Sequence, residues 1–445
     1  MKKRILAVLM TIALGASLLA GCGSGSSKST ETKESTGAKE TKDSSTKSGN
    51  TTIKMWTFLD PANTENGRSV ALKQMIDEFE KENEGVKVVV EPQDWNTMTA
   101  KFLAATSTGD APDIIWCARD ELSGVLDAGV LEPLENLFLG SWSKDEIADV
   151  DDAFFKFGER DGKHYTLTLN KNATVLFYRE DLLKEAGLTV PTTFDEIAEA
   201  AKALTGKDKK TGIQRYGMGQ SFATESNDAQ AIVNYLLQEN GDLFNEDGTA
   251  NWANDAGVAA VKWTKERIDA GVTPKESVNT SIEDVYTEFA AGKYAMSIAS
   301  GVRLAALRSS ATFDGSTIQI TPLPGKTIID GWFAGVWSGS KNKEMAGKFL
   351  EKMYSPESDL KWVEIGGQAP LRKTTINNLK IDDSNKYLKV MITAFEQGWL
   401  PSNKKAFVGW KYDLNRPIQD VLTNNADPLK ALKDAEKTFN SANKR

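Results

Sequence analysis

At 445 residues the chain is too long for a single hydrophobic core and points to two domains, taking roughly 150–200 residues for each. Hydrophobic residues make up 40% and charged residues 26%, an ordinary folded composition that excludes a chain disordered throughout. The formal net charge of −8, which becomes three units more acidic without Lys2, Lys3 and Arg4, disfavours nucleic acid and anionic lipid as partners. One histidine, His164, and two cysteines, Cys22 and Cys117, all but remove His/Cys zinc sites, Ser-His-Asp and Cys-His nucleophiles, haem and iron–sulfur clusters. No metal and no cofactor is expected. What remains is carboxylate, amide and aromatic chemistry, with 11 tryptophans to build it.

The chain opens with Lys2-Lys3-Arg4 and the apolar run Ile5 to Ala20. That run is short of the roughly 20 residues a bilayer requires and ends in small residues, so residues 1–21 read as a signal peptide. Leu19-Ala20-Gly21-Cys22 resembles the bacterial lipobox, which makes Cys22 the expected lipidation site. Residues 22–50 then form a tether of Ser, Thr, Lys, Glu and Gly without an aromatic or branched aliphatic residue after Cys22. Such a segment cannot offset its ordering entropy, and its root-mean-square reach is roughly 30 Å. With Cys22 lipidated, Cys117 has no partner for a disulfide and reads as a buried small hydrophobe within Asp113–Cys117.

From Thr51 strands and helices alternate. Ile53–Trp56 reads as a strand, and Leu72, Met75, Ile76 and Phe79 repeat at helical spacing. Val86–Glu91 is a second strand, Met98–Thr106 a helix, and Asp113–Cys117 a buried strand. This is the pattern of an open, largely parallel α/β sheet, which binds ligands beyond the carboxyl ends of its strands. Asp161-Gly162 marks a hairpin, and Tyr165 to Tyr178 is a long candidate crossover. Thr193-Phe-Asp-Glu196 reads as a capping box. Helices are expected over Asp228–Gln238, Asp255–Ala270, Ile282–Ala291 and Asn342–Tyr354, with strands at Tyr294–Ala299 and Ile318–Thr321. Pro356, Pro417 and Pro428 read as first helical positions.

Three familiar motifs are nearly present and fail. Gly325-Lys326-Thr327 lacks its phosphate-loop glycine at Ile320, Gly219 to Ala223 lacks the second glycine of a nucleophile elbow, and Asn245 to Gly248 is a turn rather than a calcium loop. The predicted strand ends, by contrast, gather acidic and aromatic residues: Trp56 with Asp60, Asp94 with Trp95, and Arg119 with Asp120. Carboxylates and guanidinium groups bind neighbouring hydroxyls, and an aromatic face covers the apolar face of a pyranose. That combination suits sugars. Paired carboxylates also leave open a glycan-acting hydrolase.

A series of segments runs through the chain in order: Gly109-Asp-Ala-Pro-Asp-Ile-Ile-Trp116, Gly129-Val-Leu-Glu-Pro-Leu134, Leu176 to Gly187, Pro191 to Glu196, Phe289 to Met296, Asn342 to Leu350 and Gly366 to Pro370. Behind a lipobox they resemble the extracellular solute-binding lipoproteins of bacterial ABC importers, in the carbohydrate branch of the maltose-binding protein family. The resemblance implies an α/β, two-lobed periplasmic-binding-protein-like fold with a hinge. Lobe one would be 51–169 with 335–380, lobe two 173–331 with 385–445, and the crossing segments would lie near 170–174, 332–334 and 381–384.

It also implies ligand-binding residues. Trp410, following Leu400-Pro401, matches the family's stacking aromatic. Asp60 and Asp120 match acidic residues after the first and third strands, and Asn172 a polar group at the crossover. Trp332, Trp56, Trp95, Asp94, Arg119, Gln220, Arg303 and Gln368 complete the candidate set. Two departures, Val302 and Cys117 where relatives carry aromatics, set the pocket apart from a maltose site. The expected protein is therefore no enzyme. It is a monomeric receptor, lipid-anchored on the outer face of the cytoplasmic membrane, that captures a carbohydrate, expected to be an oligosaccharide, and delivers it to an ABC permease without binding nucleic acid. A non-sugar solute is the other reading, and Arg119, Arg303 and Arg372 keep it open.

Overall fold

The computed structural model describes residues 50–150, 152–208, 211–223, 230–402 and 409–443. The signal segment, Cys22 and almost all of the tether lie outside the described residues.

Alternating burial sets the first strand: β1 (Thr51–Thr57) turns Ile53, Met55 and Thr57 inward. The helix Gly67–Glu82 follows, started by Asn66, whose side chain accepts from the N–H groups of Arg68 and Ser69. It buries the expected Leu72, Met75, Ile76 and Phe79. β2 (Val86–Pro92) pairs parallel with β1, and the helix Met98–Thr108 ends at Gly109, which takes a left-handed φ of 80° that suits glycine. β3 (Ile114–Ala118) lies parallel on the other side of β1 and runs directly into the helix Arg119–Asp127. Cys117 is fully buried there, and burial pushes its thiol pKa up, as suits a packing residue.

Asp161 and Gly162 take positive φ values of 54° and 75° and turn the small hairpin β4 (Glu159–Arg160) to β5 (Lys163–His164). β6 (Leu167–Arg179) then spans about 43 Å at the usual strand rise. The second half supplies β7 (Gly206–Lys207), β8 (Gln214–Gly219), β9 (Tyr294–Ser300), β10 (Ile318–Pro322), β11 (Thr327–Val336) and β12 (Gly398–Trp399). Among the described residues the sheet order is β2-β1-β3-β11-β6-β9-β8-β7, with β10 on β6 and β12 on β11.

Two strands serve both halves. β6 pairs with β11 over Leu167–Ala173 and then with β9 from Thr174. β11 pairs with β12 at its start and with β3 over Trp332–Val336. Where they cross, the β6–β11 register shifts between Trp332 and Phe333, leaving Leu169 unpaired in a bulge. Bulges bend a strand and re-aim its side chains. The close approach also requires glycine: a Cβ on Gly331 would lie 2.7 Å from the Asn170 carbonyl oxygen.

The apolar core divides accordingly. On β6, Val175 and Phe177 join the large cluster that contains β1 and β3, whereas Leu176 and Tyr178 face a second cluster with Phe194 and Trp263. A third cluster fills the space between the helices Gln230–Asn240, Asp255–Asp269, Trp410–Asn424 and Pro428–Ala442.

Two local expectations are corrected. Pro417 lies inside the helix Trp410–Asn424 rather than at its start, tolerated because that helix buries Leu414, Ile418 and Val421 against the third cluster. The capping box at Thr193 is half formed. Thr193 accepts from Glu196 N–H, but the Glu196 carboxylate turns to the N–H and hydroxyl of Thr192, at 2.7 and 2.8 Å. The helix expected over Asp228–Gln238 is present over Gln230–Asn240, and Asp228 lies outside the described residues. No described helix is long and apolar enough to cross a membrane.

Candidate functional site

The carboxyl ends of β1 and β3 and the crossing of β6 with β11 meet at one place in the sheet. The register puts Ala118, Trp332 and Asn170 side by side across β3, β11 and β6, with Asp330 beside Asn172 one step further along. Arg119 follows Ala118 and is 2% exposed. Its guanidinium donates to Asp330 at 3.1 Å and pairs with Asp120 at 2.6 Å. Asp120 in turn accepts from Lys411 at 2.9 Å. Asp330, Arg119, Asp120 and Lys411 thus form a chain of alternating charge, linking the β3 end to the helix that begins at Trp410.

Burial alone would lower the Arg119 pKa, but the adjoining Asp120 and Asp330 raise it. Burial alone would raise that of Asp120, but Arg119 and Lys411 outweigh it and hold the carboxylate below its ordinary value. Both groups therefore stay charged, and each faces an opposite charge within the fold.

Aromatic surface lies beside this chain. Phe58, just past β1, packs on Trp332 with ring centroids 4.6 Å apart and meets Trp116 edge-on at 5.9 Å. Trp332 and Phe58 are only partly buried, so aromatic area remains open at the crossing.

The amides here are in the opposite condition to the charges. Gln220, immediately after β8, is 3% exposed, and neither its amide oxygen nor its nitrogen has a hydrogen-bond partner. Asn172 Oδ1 is buried without a donor. Asn170 donates to Gln368 Oε1 at 2.8 Å, which leaves Gln368 Nε2 unused. Trp410 Nε1 likewise has no acceptor. A buried unsatisfied polar atom costs about 1–3 kcal/mol, and groups that can both donate and accept suit a ligand bearing hydroxyls.

The sequence-derived candidates divide into two groups. Arg119, Asp120, Asn172, Trp332 and Gln368 lie on or beside the crossing, and Gln220 on the end of β8. Others do not join them. Asp60 is exposed and its carboxylate closes a local turn onto Ala62 N–H at 2.9 Å. Asp94 accepts from Asn96 N–H at 3.0 Å ahead of a helix, and Trp95 is 44% exposed beside it. Trp56 donates to Glu91 on the neighbouring strand at 2.7 Å. Arg303 pairs with Glu283. Arg372 is locked to Asp149 at 2.7 Å and to the Tyr354 carbonyl.

Trp410 departs furthest from expectation. It is 1% exposed and sits edge-on to Phe244 and Trp399 in the third apolar cluster, at 6.0 Å from each. Its ring is held by core packing and offers no open stacking face; only its N–H is unspent. Sequence reasoning missed Phe58, Asp330 and Lys411. Asp330 and Trp332 are two apart on one strand and so share a face, a signal that was legible. Phe58 lies two positions from the named Trp56 and Asp60, and Lys411 adjoins the named Trp410. Among the described residues no group of His, Cys, Asp and Glu could hold a metal ion.

A mixed sheet whose two halves share crossing strands, with unspent polar groups at the crossing, defines a two-lobed binding protein. The chain belongs to the bacterial extracellular solute-binding protein family, whose model matches residues 63–359. That family consists of binding proteins. The diacetylchitobiose binding protein of Streptomyces coelicolor is 25% identical over 368 residues, covering 80% of this chain and 82% of the relative. A maltooligosaccharide ABC transporter solute-binding lipoprotein of Streptococcus pneumoniae is 25% identical over 359 residues, covering 79% and 76%. In fold, the chain matches the GacH receptor of Streptomyces glaucescens, solved unliganded and with acarbose. The TM-score is 0.76 at 22% identity, over 88% of this chain and 97% of the receptor.

Proposed function

We propose that the protein is a membrane-tethered receptor that captures a saccharide between its lobes and hands it to an ABC permease. The observation that carries this reading is a set of buried, unpartnered polar groups: Asn172 Oδ1 and Gln368 Nε2 at the crossing, with the Gln220 amide at the end of β8 and the Trp410 N–H. A ligand with several hydroxyls satisfies such groups, and the partly open Trp332–Phe58 pair gives it an aromatic wall. The names of the relatives, which bind diacetylchitobiose and maltooligosaccharides, favour an oligosaccharide. The lobes are assigned as 51–169 with 335–380 and 173–331 with 385–445, hinged at the crossings near 170–174, 332–334 and 381–384. Closure over ligand follows if contacts come from both lobes, since only differential contacts shift the equilibrium.

The test is a thermal-shift screen of the full chain against mono- and oligosaccharides, amino acids and peptides. A ligand at 100 times its dissociation constant adds about 2.7 kcal/mol of stability. Recovery of the saccharide unchanged after long incubation supports a receptor, and the appearance of hydrolysis products overturns it in favour of an enzyme. Cys22 is proposed as the lipid anchor holding the protein to the outer face of the cytoplasmic membrane. Cys22→Ala should release the protein from membranes without changing saccharide affinity, and full membrane retention of the signal-cleaved variant would contradict the anchor.

A further inference from the structure

Asp120 and Lys411 belong to parts of the molecule that pack separately. The helix Arg119–Asp127 carries Asp120 in its first turn and buries Leu122, Val125 and Leu126 in the large cluster with β1 and β3. The helix Trp410–Asn424 carries Lys411 and buries Leu414, Ile418 and Val421 in the third cluster, with Trp252 and Phe439. The strand β11 runs between these bodies, placing Ile328 in the third cluster and Ile329 in the first. Apart from that backbone link, charge joins them. Among the described residues, the ion pairs between the segments assigned to different lobes are Arg119–Asp330 and Asp120–Lys411. Asp330 sits on the crossing strand itself, so the Lys411 pair alone reaches past the crossing.

The pair is built to break and re-form. Asp120 divides its two oxygens: Oδ1 meets Arg119 at 2.6 Å, and Oδ2 accepts from Lys411 Nζ at 2.9 Å. Arg119 is held in turn by Asp330 at 3.1 Å. If Lys411 withdraws, Asp120 keeps its Arg119 partner, so no buried carboxylate is left without a counter-charge. The lysine is placed just as firmly at its base, because it follows Trp410, whose ring is packed between Phe244 and Trp399. Its side chain is 16% exposed and that of Asp120 is 29% exposed. That is wet enough for the ammonium to return to water and sheltered enough to weaken screening. The Arg372–Asp149 pair is the opposite case. Both its side chains are 11% exposed or less, and both residues belong to lobe one; breaking it would strand a charge in the core.

We propose that Lys411 latches the cleft: its bridge to Asp120 forms as the lobes close and breaks as they open, and so governs how long a captured ligand is held. This rests on the two-lobe receptor reading above. A contact made only in the closed arrangement shifts the equilibrium towards it, and this one does so without touching the ligand. Lys411 is therefore a positioning residue, acting through Asp120. The rest of the charge chain, Arg119 with Asp330, stays within reach of the crossing strand and keeps Asp120 aimed at its partner while the lobes are apart.

The experiment is energy transfer between dyes on the two lobes of the full chain, first without any ligand. Asn96 and Arg416 are exposed and take the dyes as Asn96→Cys and Arg416→Cys in a Cys22→Ala background; Cys117 is fully buried and stays unlabelled. Lys411→Met should change the transfer towards that of a more open cleft, and Lys411→Arg should restore it. Rising salt should shift the chain that keeps Lys411 in the same direction and leave Lys411→Met unmoved. With a saccharide from the thermal-shift screen, stopped-flow release should be roughly two- to fivefold faster from Lys411→Met. A lowered melting temperature with transfer and release unchanged overturns the latch and makes the bridge a brace for its helix. Faster release with unchanged transfer also overturns it, by assigning Lys411 to the ligand. Either result leaves the receptor standing. Failure of every saccharide to bind overturns the receptor reading instead, while the ligand-free transfer still decides whether the bridge holds the lobes together.

Discussion

Arg119 and Arg68 both come from the first half of the chain, and their surroundings differ in one respect. Arg119 is flanked by Asp330 and Asp120, and Asp120 is bridged onward to Lys411. Arg68 lies over the face of Phe58 and has no carboxylate partner among the described residues. The first arrangement completes its own charge chain and holds the β3 end and the Trp410–Asn424 helix in place. The second leaves a demand for charge that the protein does not meet. The same contrast separates Trp410, packed among Phe244 and Trp399, from Trp332, which is only partly buried. Groups whose needs are met within the fold set its shape; groups left wanting are where a ligand belongs.

The largest effect should come from the packed tryptophan. Trp410→Ala is expected to cost about 3–5 kcal/mol of stability through the cavity it leaves, read as a lowered denaturation midpoint, while Trp332→Ala costs clearly less. A Trp410→Ala protein of unchanged midpoint with abolished saccharide binding would return Trp410 to the stacking role. Next is the charge chain: Asp330→Ala leaves Arg119 with Asp120 alone and should cost about 2–3 kcal/mol. A loss equal to that of Arg68→Gln would erase the distinction between the two arginines. Third, Gln220→Ala should weaken saccharide binding by about 1–3 kcal/mol without lowering unliganded stability, because the amide it removes has no partner to lose.

The smallest effect concerns acid. The Asp120 pKa lies below the ordinary carboxylate value of about 3.9 despite burial, because Arg119 and Lys411 outweigh it. Its contribution to stability is complete above that value and is lost as pH falls through the lower folded pKa. Lys411→Met removes one of the two depressing charges and so raises the folded pKa, and unfolding followed against pH should show a smaller loss that ends at a higher pH. An unshifted acid limb would mean that the Lys411 bridge carries no weight.

Much of the fold was legible because it is local. The periodic apolar residues of Gly67–Glu82, the β-branched run of β2 and the Asp161-Gly162 turn each declare themselves within a few residues. The crossover was visible too, since a 14-residue run from Tyr165 to Tyr178 is too long for an ordinary strand. The site was less legible because its chemistry is assembled at long range. Arg119 meets Asp330 across 211 positions and Asp120 meets Lys411 across 291. No spacing announces such pairs. Asp60 and Asp94 showed the right residue type after the right strands, but each is spent on a local turn. Trp410 marks the hardest distinction: a tryptophan at a helix start reads the same whether its ring faces ligand or core. Pro417 misled for a similar reason, since a helix pinned by Leu414 and Ile418 in the core can carry a proline that local rules would place at its first turn.

The central claim is that the unpartnered amides at the crossing and at the end of β8 are there for a saccharide. It is tested most directly by calorimetric titration of the wild-type chain and of Gln220→Ala with whichever saccharide raises the melting temperature most. The expected result is a saturable, one-site isotherm for the wild type. For Gln220→Ala, affinity should be about tenfold lower or worse, with the unliganded melting temperature unchanged or higher. Equal affinities for the two proteins, or a Gln220→Ala chain that loses stability before it loses binding, would contradict it.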